Sequence, residues 1–311
     1  MTYLWLLLYA LFMLVGNVMN KTNSNAFSSK GITGSLFFVF ETSIFALLYF
    51  WAFNGFKLEF NSRVILYGFL YGLVVILTVI PSIFVYRYAT FSFVSLVSGC
   101  LVLLLSLVSG AVFFDEIIGF DKLLRVIIML CATFVIFLGR NEQNNEKGKQ
   151  TKEGNKKNIT ISCLIIAFFA VVSTLGTALV KFYSVDSGVT DQNSFFFMTN
   201  IFSALLVLPI LPFAMKKDGV SLKDLGLMLR SKKTVFSAVT TLNSNLSSIV
   251  LIFLLANMDV SVFTSVSAAL SFAVVAVTTP IIKEKLDKYT IAATVIAILS
   301  VVIPSFISGL I

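Results

Sequence analysis

The stretch FFVFETSIFALL, residues 37–48, returns in altered form as FFFMTNIFSALL at residues 195–206. Both copies sit inside long apolar runs, 32–53 and 193–214. Working outward, the sequence before each copy also matches. Gly16-Asn17-Val18-Met19-Asn20-Lys21 aligns with Gly176-Thr177-Ala178-Leu179-Val180-Lys181. So does the sequence after it: ATFSFVSLVSG (89–99) aligns weakly with ANMDVSVFTSV (256–266), and the segment 113–139 aligns with 281–304, placing Glu116 over Glu284. Apolar runs resemble one another by composition alone, so no single match decides anything. Four matches in one order point to a chain built twice.

Composition sets the solvent. Of 311 residues, 58% are hydrophobic and 12% charged, with 32 Phe and no His. Soluble domains carry roughly twice that share of charge. A helical span needs about 20 apolar residues. The chain holds ten such stretches, near 2–20, 32–53, 64–86, 90–114, 122–139, 159–183, 193–214, 234–256, 259–282 and 289–308. They are continuous and do not alternate, which selects helices over a membrane barrel. The expected fold is therefore an all-α integral membrane protein of ten transmembrane helices. Residues 1–139 form a first five-helix repeat, 140–158 a polar basic linker, and 159–311 a second repeat. Five is odd, so the second repeat must enter the membrane upside down relative to the first. Such inverted repeats are a device of transporters.

With Glu116 and Glu284 each preceding a final apolar span, and Gly16/Lys21 and Gly176/Lys181 repeated in the first spans, the chain resembles the drug/metabolite transporter superfamily, EamA-type permeases. The resemblance covers nearly the whole chain. It implies a bundle in which spans one to four and six to nine enclose a central cavity, with spans five and ten peripheral. Export of amino acids, metabolites or amphiphilic drugs is the theme it implies.

Net charge is +8. The basic residues fall in loops, where they meet lipid headgroups, so a nucleic-acid partner is not expected. Loops of odd number hold 18 of the 23 Lys and Arg. The positive-inside rule then puts those loops in the cytoplasm and both termini outside, whereas the resemblance implies both termini inside. Cys100, Cys131 and Cys163 lie in apolar runs and read as small hydrophobes, not a disulfide framework. The N-terminal run lacks the basic start of a cleaved signal and reads as a retained span. Many Lys, Asn and Phe beside few acids suit an AT-rich genome, and a bacterial inner membrane is the expected location.

Glu41 is the sharpest chemical signal. It is the tenth residue of the apolar stretch 32–53, deeper than any other acid. A carboxylate at that depth costs roughly 2.5–3.5 kcal/mol on insertion scales, so it must be protonated, paired or wet. The functional reading is proton coupling or cation binding; the structural one is an ion pair with Lys21, Lys181 or Arg87. Lys21 and Lys181 occupy equivalent places in the two repeats, able either to snorkel to headgroups or to hold a carboxylate or phosphate. Asn17, Asn20, Asn200, Asn243 and Asn245 offer both donors and acceptors. They suit a polar cavity or interhelical bonding, and Thr42, Thr199, Ser244 and Ser248 extend that surface. Tyr71 and Tyr86 could wall it. Small pairs, Ser106 with Gly110 and Ser267 with Ser271, read as packing contacts. Glu116 and Glu284 read as helix-start or interface residues.

No HExxH, GxSxG, P-loop or dinucleotide glycine pattern is present in the sequence, and no His can serve a triad or a metal. No enzyme, metal or cofactor is expected. The expected activity is secondary transport, by alternating access, of a small organic solute, with proton or cation coupling at Glu41. The rivals are a facilitative exchanger of anionic sugar or phosphate compounds using Lys21 and Lys181, and a membrane scaffold without transport. The expected partners are the substrate and the bilayer, and the protein is a monomer or homodimer.

Overall fold

The computed structural model describes residues 2–27, 30–85, 91–146, 152–185, 191–230, 232–281 and 288–308. Among these there are helices and no strand. They are α1 (Thr2–Phe27), α2 (Gly31–Phe53), α3 (Ser62–Val85), α4 (Phe91–Phe114), α5 (Phe120–Glu146) and α6 (Lys152–Val185). Then follow α7 (Gln192–Asp218), α8 (Leu222–Leu229), α9 (Lys232–Asn257), α10 (Val260–Ile281) and α11 (Lys288–Ser308). Seven, namely α2, α3, α4, α6, α7, α9 and α10, are long and apolar enough to cross a membrane. Shorter apolar stretches occupy Leu4–Met19 of α1 and Lys288–Pro304 of α11. The chain is an integral membrane protein.

Hydrocarbon offers backbone groups no partner, so a helix must satisfy its own. The hydroxyls obey the same rule. Thr42, Thr78, Thr174, Thr199, Thr264 and Ser265 each donate to a carbonyl four residues back. Outward faces are apolar: Leu4, Leu7, Leu11 and Val15 make one exposed stripe on α1, a surface suited to lipid and not to water.

Among the described residues, each of the ten apolar stretches coincides with a helix to within a residue at either end. The polar linker 140–158 is less of a loop than its composition suggests, because α5 runs on to Glu146 and α6 starts at Lys152. The polar segment 215–233 contains α8, opened by a capping box in which Ser221 accepts from the Asp224 backbone N–H and Asp224 accepts from that of Ser221. Donation from the Ser221 hydroxyl (2.6 Å), and then from its backbone N–H, holds the Asp224 carboxyl below its ordinary range.

The chain divides into two compact units. The first comprises 1–84 and 175–256; the second comprises 85–174 and 257–311. Each draws on both halves of the sequence. In the first, α2 lies antiparallel against α7. At one end Asp218, closing α7, accepts from Thr33 N (2.8 Å) and Thr33 Oγ1 (2.9 Å), so it caps the start of α2. At the other, Asp191, which caps α7 itself, accepts from Asn54 Nδ2 at 2.7 Å and from Ser194 Oγ. Gly31 at φ +69 leaves room for the Asp218 carboxyl, which an added Cβ would meet at 2.6 Å. The backbones of α3 and α7 come close where Gly68 faces Met198 and Gly72 faces Thr199, and Ser203 Oγ donates to the Gly72 carbonyl.

The second unit repeats the scheme. Its core joins Phe93, Leu103, Met129, Phe272, Ala293 and Ala297, and α4 packs with α10 and α5 with α11. Glu116, just past α4, accepts from the backbone N–H of Val260 (2.6 Å) and Ser261 (3.2 Å) and from Ser261 Oγ. It therefore caps α10. Gly110 makes space for that carboxylate, since a Cβ there would stand 2.6 Å from it. Lys122, only 8% exposed, lies 3.5 Å from Glu116 and 3.2 Å from Asp259.

Candidate functional site

All eight residues singled out as a site, Glu41, Asn17, Asn20, Asn200, Asn243, Asn245, Lys21 and Lys181, belong to the first unit. The surroundings of the described side chains differ from one another.

Glu41 lies midway along α2, on a helix fixed at both ends by the Asp218 and Asp191 clamps. It is 4% exposed, and neither carboxyl oxygen accepts a hydrogen bond from the described residues. The hydroxyl side chains of Thr234 and Ser237 on α9 stand beside it, without hydrogen-bond geometry. Thr234 Oγ1 donates instead to the carbonyls of Met228 (3.1 Å) and Leu229 (2.8 Å). A buried carboxylate without a hydrogen-bond donor among the described residues is costly.

The asparagines separate into three kinds. Asn243 Nδ2 donates across to the Phe12 carbonyl of α1 at 3.0 Å, beside Gly16, so this amide ties two helices together. Asn200 Nδ2 folds back on its own helix, to Phe196 O at 2.7 Å. Asn245 is 6% exposed, and its Nδ2 has no acceptor. Asn17 is half-buried on α1. The side chains of Asn20 and Lys21 lie outside the described residues, as do Arg87, Tyr86 and Glu284. Lys181 Nζ donates to the Leu255 carbonyl of α9, so this ammonium has a partner within the unit.

Other polar positions are internally bonded. Thr199 Oγ1 donates to Phe195 O, and Ser248 Oγ to Ser244 O. Tyr71 packs its ring against Phe195 and Phe196. Among the described residues no group of three or more Cys, Asp or Glu could hold a metal ion.

Three features escaped the sequence reading. The Glu116–Lys122–Asp259 cluster joins residues far apart in the chain, and only Glu116 had been noticed. The close approach of α3 and α7 was written in Gly68-x-x-x-Gly72, a spacing that brings helix backbones together. The capping box of α8 was written in Ser221-x-x-Asp224.

Compared with known proteins, the chain matches no family model and no curated protein sequence.

Proposed function

We propose that this protein is a secondary transporter of small organic solutes of the drug/metabolite transporter kind, with ten spans arranged as two inverted five-helix halves, in a bacterial inner membrane. Glu41 is its proton- or cation-coupling group, and the cycle is one of alternating access. The observation that carries the reading is Glu41 itself: a carboxyl 4% exposed, in the middle of a 23-residue apolar helix, without a hydrogen-bond partner among the described residues. A scaffold would gain nothing from leaving so costly a group unsatisfied, whereas a coupling site must be free to exchange its occupant. Support for the inverted halves comes from the pairing of matched helices. α2 lies against α7 and α4 against α10, each pair antiparallel with an acid after one helix capping the start of the other. Matched helices that enter the membrane in opposite senses pair in this way.

The test is proton movement in liposomes loaded with a pH-sensitive dye and bearing the purified protein. Amino acids, amines and sugar phosphates are added under an imposed pH gradient. At least one amine or zwitterion should drive a pH change through wild type and fail to do so through Glu41→Gln. Equal movement through both proteins would remove Glu41 from the mechanism. Sugar phosphates exchanging without pH change would favour the anion exchanger instead.

A further inference from the structure

The short helix α8 spans only Leu222–Leu229, about 12 Å of helix and far too little to cross a bilayer. It follows α7 and precedes α9, both long and apolar enough to cross. It therefore lies at the membrane face where α7 ends. Leu225 and Met228 fix it there, in one core with Phe27, Phe37, Phe38 and Val220. Its other leucines are not covered by the protein: Leu222 is 78% exposed, Leu227 68%, and Leu229 is exposed as well.

Lys223 and Arg230 are exposed too. They stand seven residues apart, so at about 100° per residue they fall within roughly 20° of each other, on the side opposite Leu225 and Met228. Leu222 and Leu229 border them on one side and Leu227 on the other. The two acids of the segment 215–233 are committed elsewhere. Asp218 accepts from Thr33, and Asp224 accepts from Ser221, with Lys30 Nζ 3.9 Å away. Lys216 and Lys217, exposed in the last turn of α7, add to the positive charge.

This surface asks for an anion and for hydrocarbon side by side, at the level where α7 leaves the apolar layer. Water solvates the cations and leaves the leucines exposed. A zwitterionic lipid covers the leucines but brings a cation of its own to Lys223 and Arg230. A lipid with a net negative headgroup satisfies both. We propose that the outward face of α8 docks anionic phospholipid, with the headgroup phosphate against Lys223 and Arg230 and acyl chains against Leu222, Leu227 and Leu229. The proposal does not depend on the reading of Glu41.

The test places the full chain in phosphatidylcholine nanodiscs. Trp5 and Trp51, the two tryptophans of the sequence, are replaced by Phe, and Leu229→Trp supplies the fluorophore. A trace of brominated phosphatidylglycerol should quench this reporter at least about fivefold more efficiently than the same amount of brominated phosphatidylcholine, the worth of one cation near a charged surface. Lys223→Gln with Arg230→Gln should remove most of that excess. Exchanging the cations, Lys223→Arg with Arg230→Lys, should keep it, as should Lys57→Gln, an exposed cation beyond the far end of α2. Quenching by neither lipid would mean that something other than the bilayer, such as a second copy of the chain, covers α8, and would overturn the proposal. So would equal quenching by the two lipids in the reporter protein, or an excess that Lys57→Gln lowers as much as the paired Gln change.

Discussion

Glu116 shows how a single residue serves a helix other than its own. Its position just before a span suggests a role at the start of α5. Its carboxylate instead closes the N-terminus of α10, where the exposed N–H groups and the helix dipole favour an anion, and it offsets the buried charge of Lys122. Glu116→Ala should lower stability by about 2–4 kcal/mol, combining a lost cap with a broken buried pair. Asp259→Ala, at a side chain 57% exposed, should cost no more than about 1 kcal/mol. Thermal unfolding in detergent measures both; comparable losses would show that burial is not what gives Glu116 its weight. Residue-scale legibility depended on contrast. Glu41 was legible because it is one acid in an apolar run. Asn200, Asn243 and Asn245 look alike in sequence, and only the geometry separates an amide bonded to its own helix, one that bridges to α1, and one with a vacant donor.

At the scale of elements, long apolar stretches announced their helices, because in lipid no other backbone arrangement satisfies its own polar groups. What stayed hidden is which helix meets which, and how closely. Gly68 and Gly72 set that distance for α3 and α7. A Cβ on Gly68 would stand 2.7 Å from the Cβ of Met198, while one on Gly99 of α4 would meet nothing within 4 Å. The same substitution should therefore have opposite effects. Gly68→Ala should destabilise by about 1–3 kcal/mol. Gly99→Ala should be neutral or stabilising by up to about 1 kcal/mol, the ordinary helix preference for Ala. Equal unfolding temperatures for the two variants would show that α3 and α7 do not need that close approach. The small pair Ser106 and Gly110 of α4 serves another neighbour, Gly110 leaving room for the Glu116 carboxylate.

Ten spans, as proposed, put both termini on one face of the membrane and the segments 140–158 and 215–233 together on the other. Cysteines introduced at Gln150 and Lys217, in a chain otherwise free of cysteine, should react with an impermeant maleimide from the same side, opposite tags at the two ends. Labelling from opposite faces would break the count. The proposed repeat rests on four sequence matches that keep their order. The grouping of helices was not: the compact units are each assembled from both halves, and partner choice between distant helices leaves no local pattern.

That shared assembly carries a consequence for biosynthesis. The N-terminal half leaves the ribosome first, and α2 then has neither α7 beside it nor Asp218 at its start, while α4 and α5 await α10 and α11. The first unit cannot close until α9 enters the membrane, nor the second until α11 does. From the synthesis of α3 until that of α7, the small-residue face that Gly68 and Gly72 present to α7 stands open to lipid and to membrane proteases. The time taken to synthesise the second half is the interval in which this protein is most easily lost.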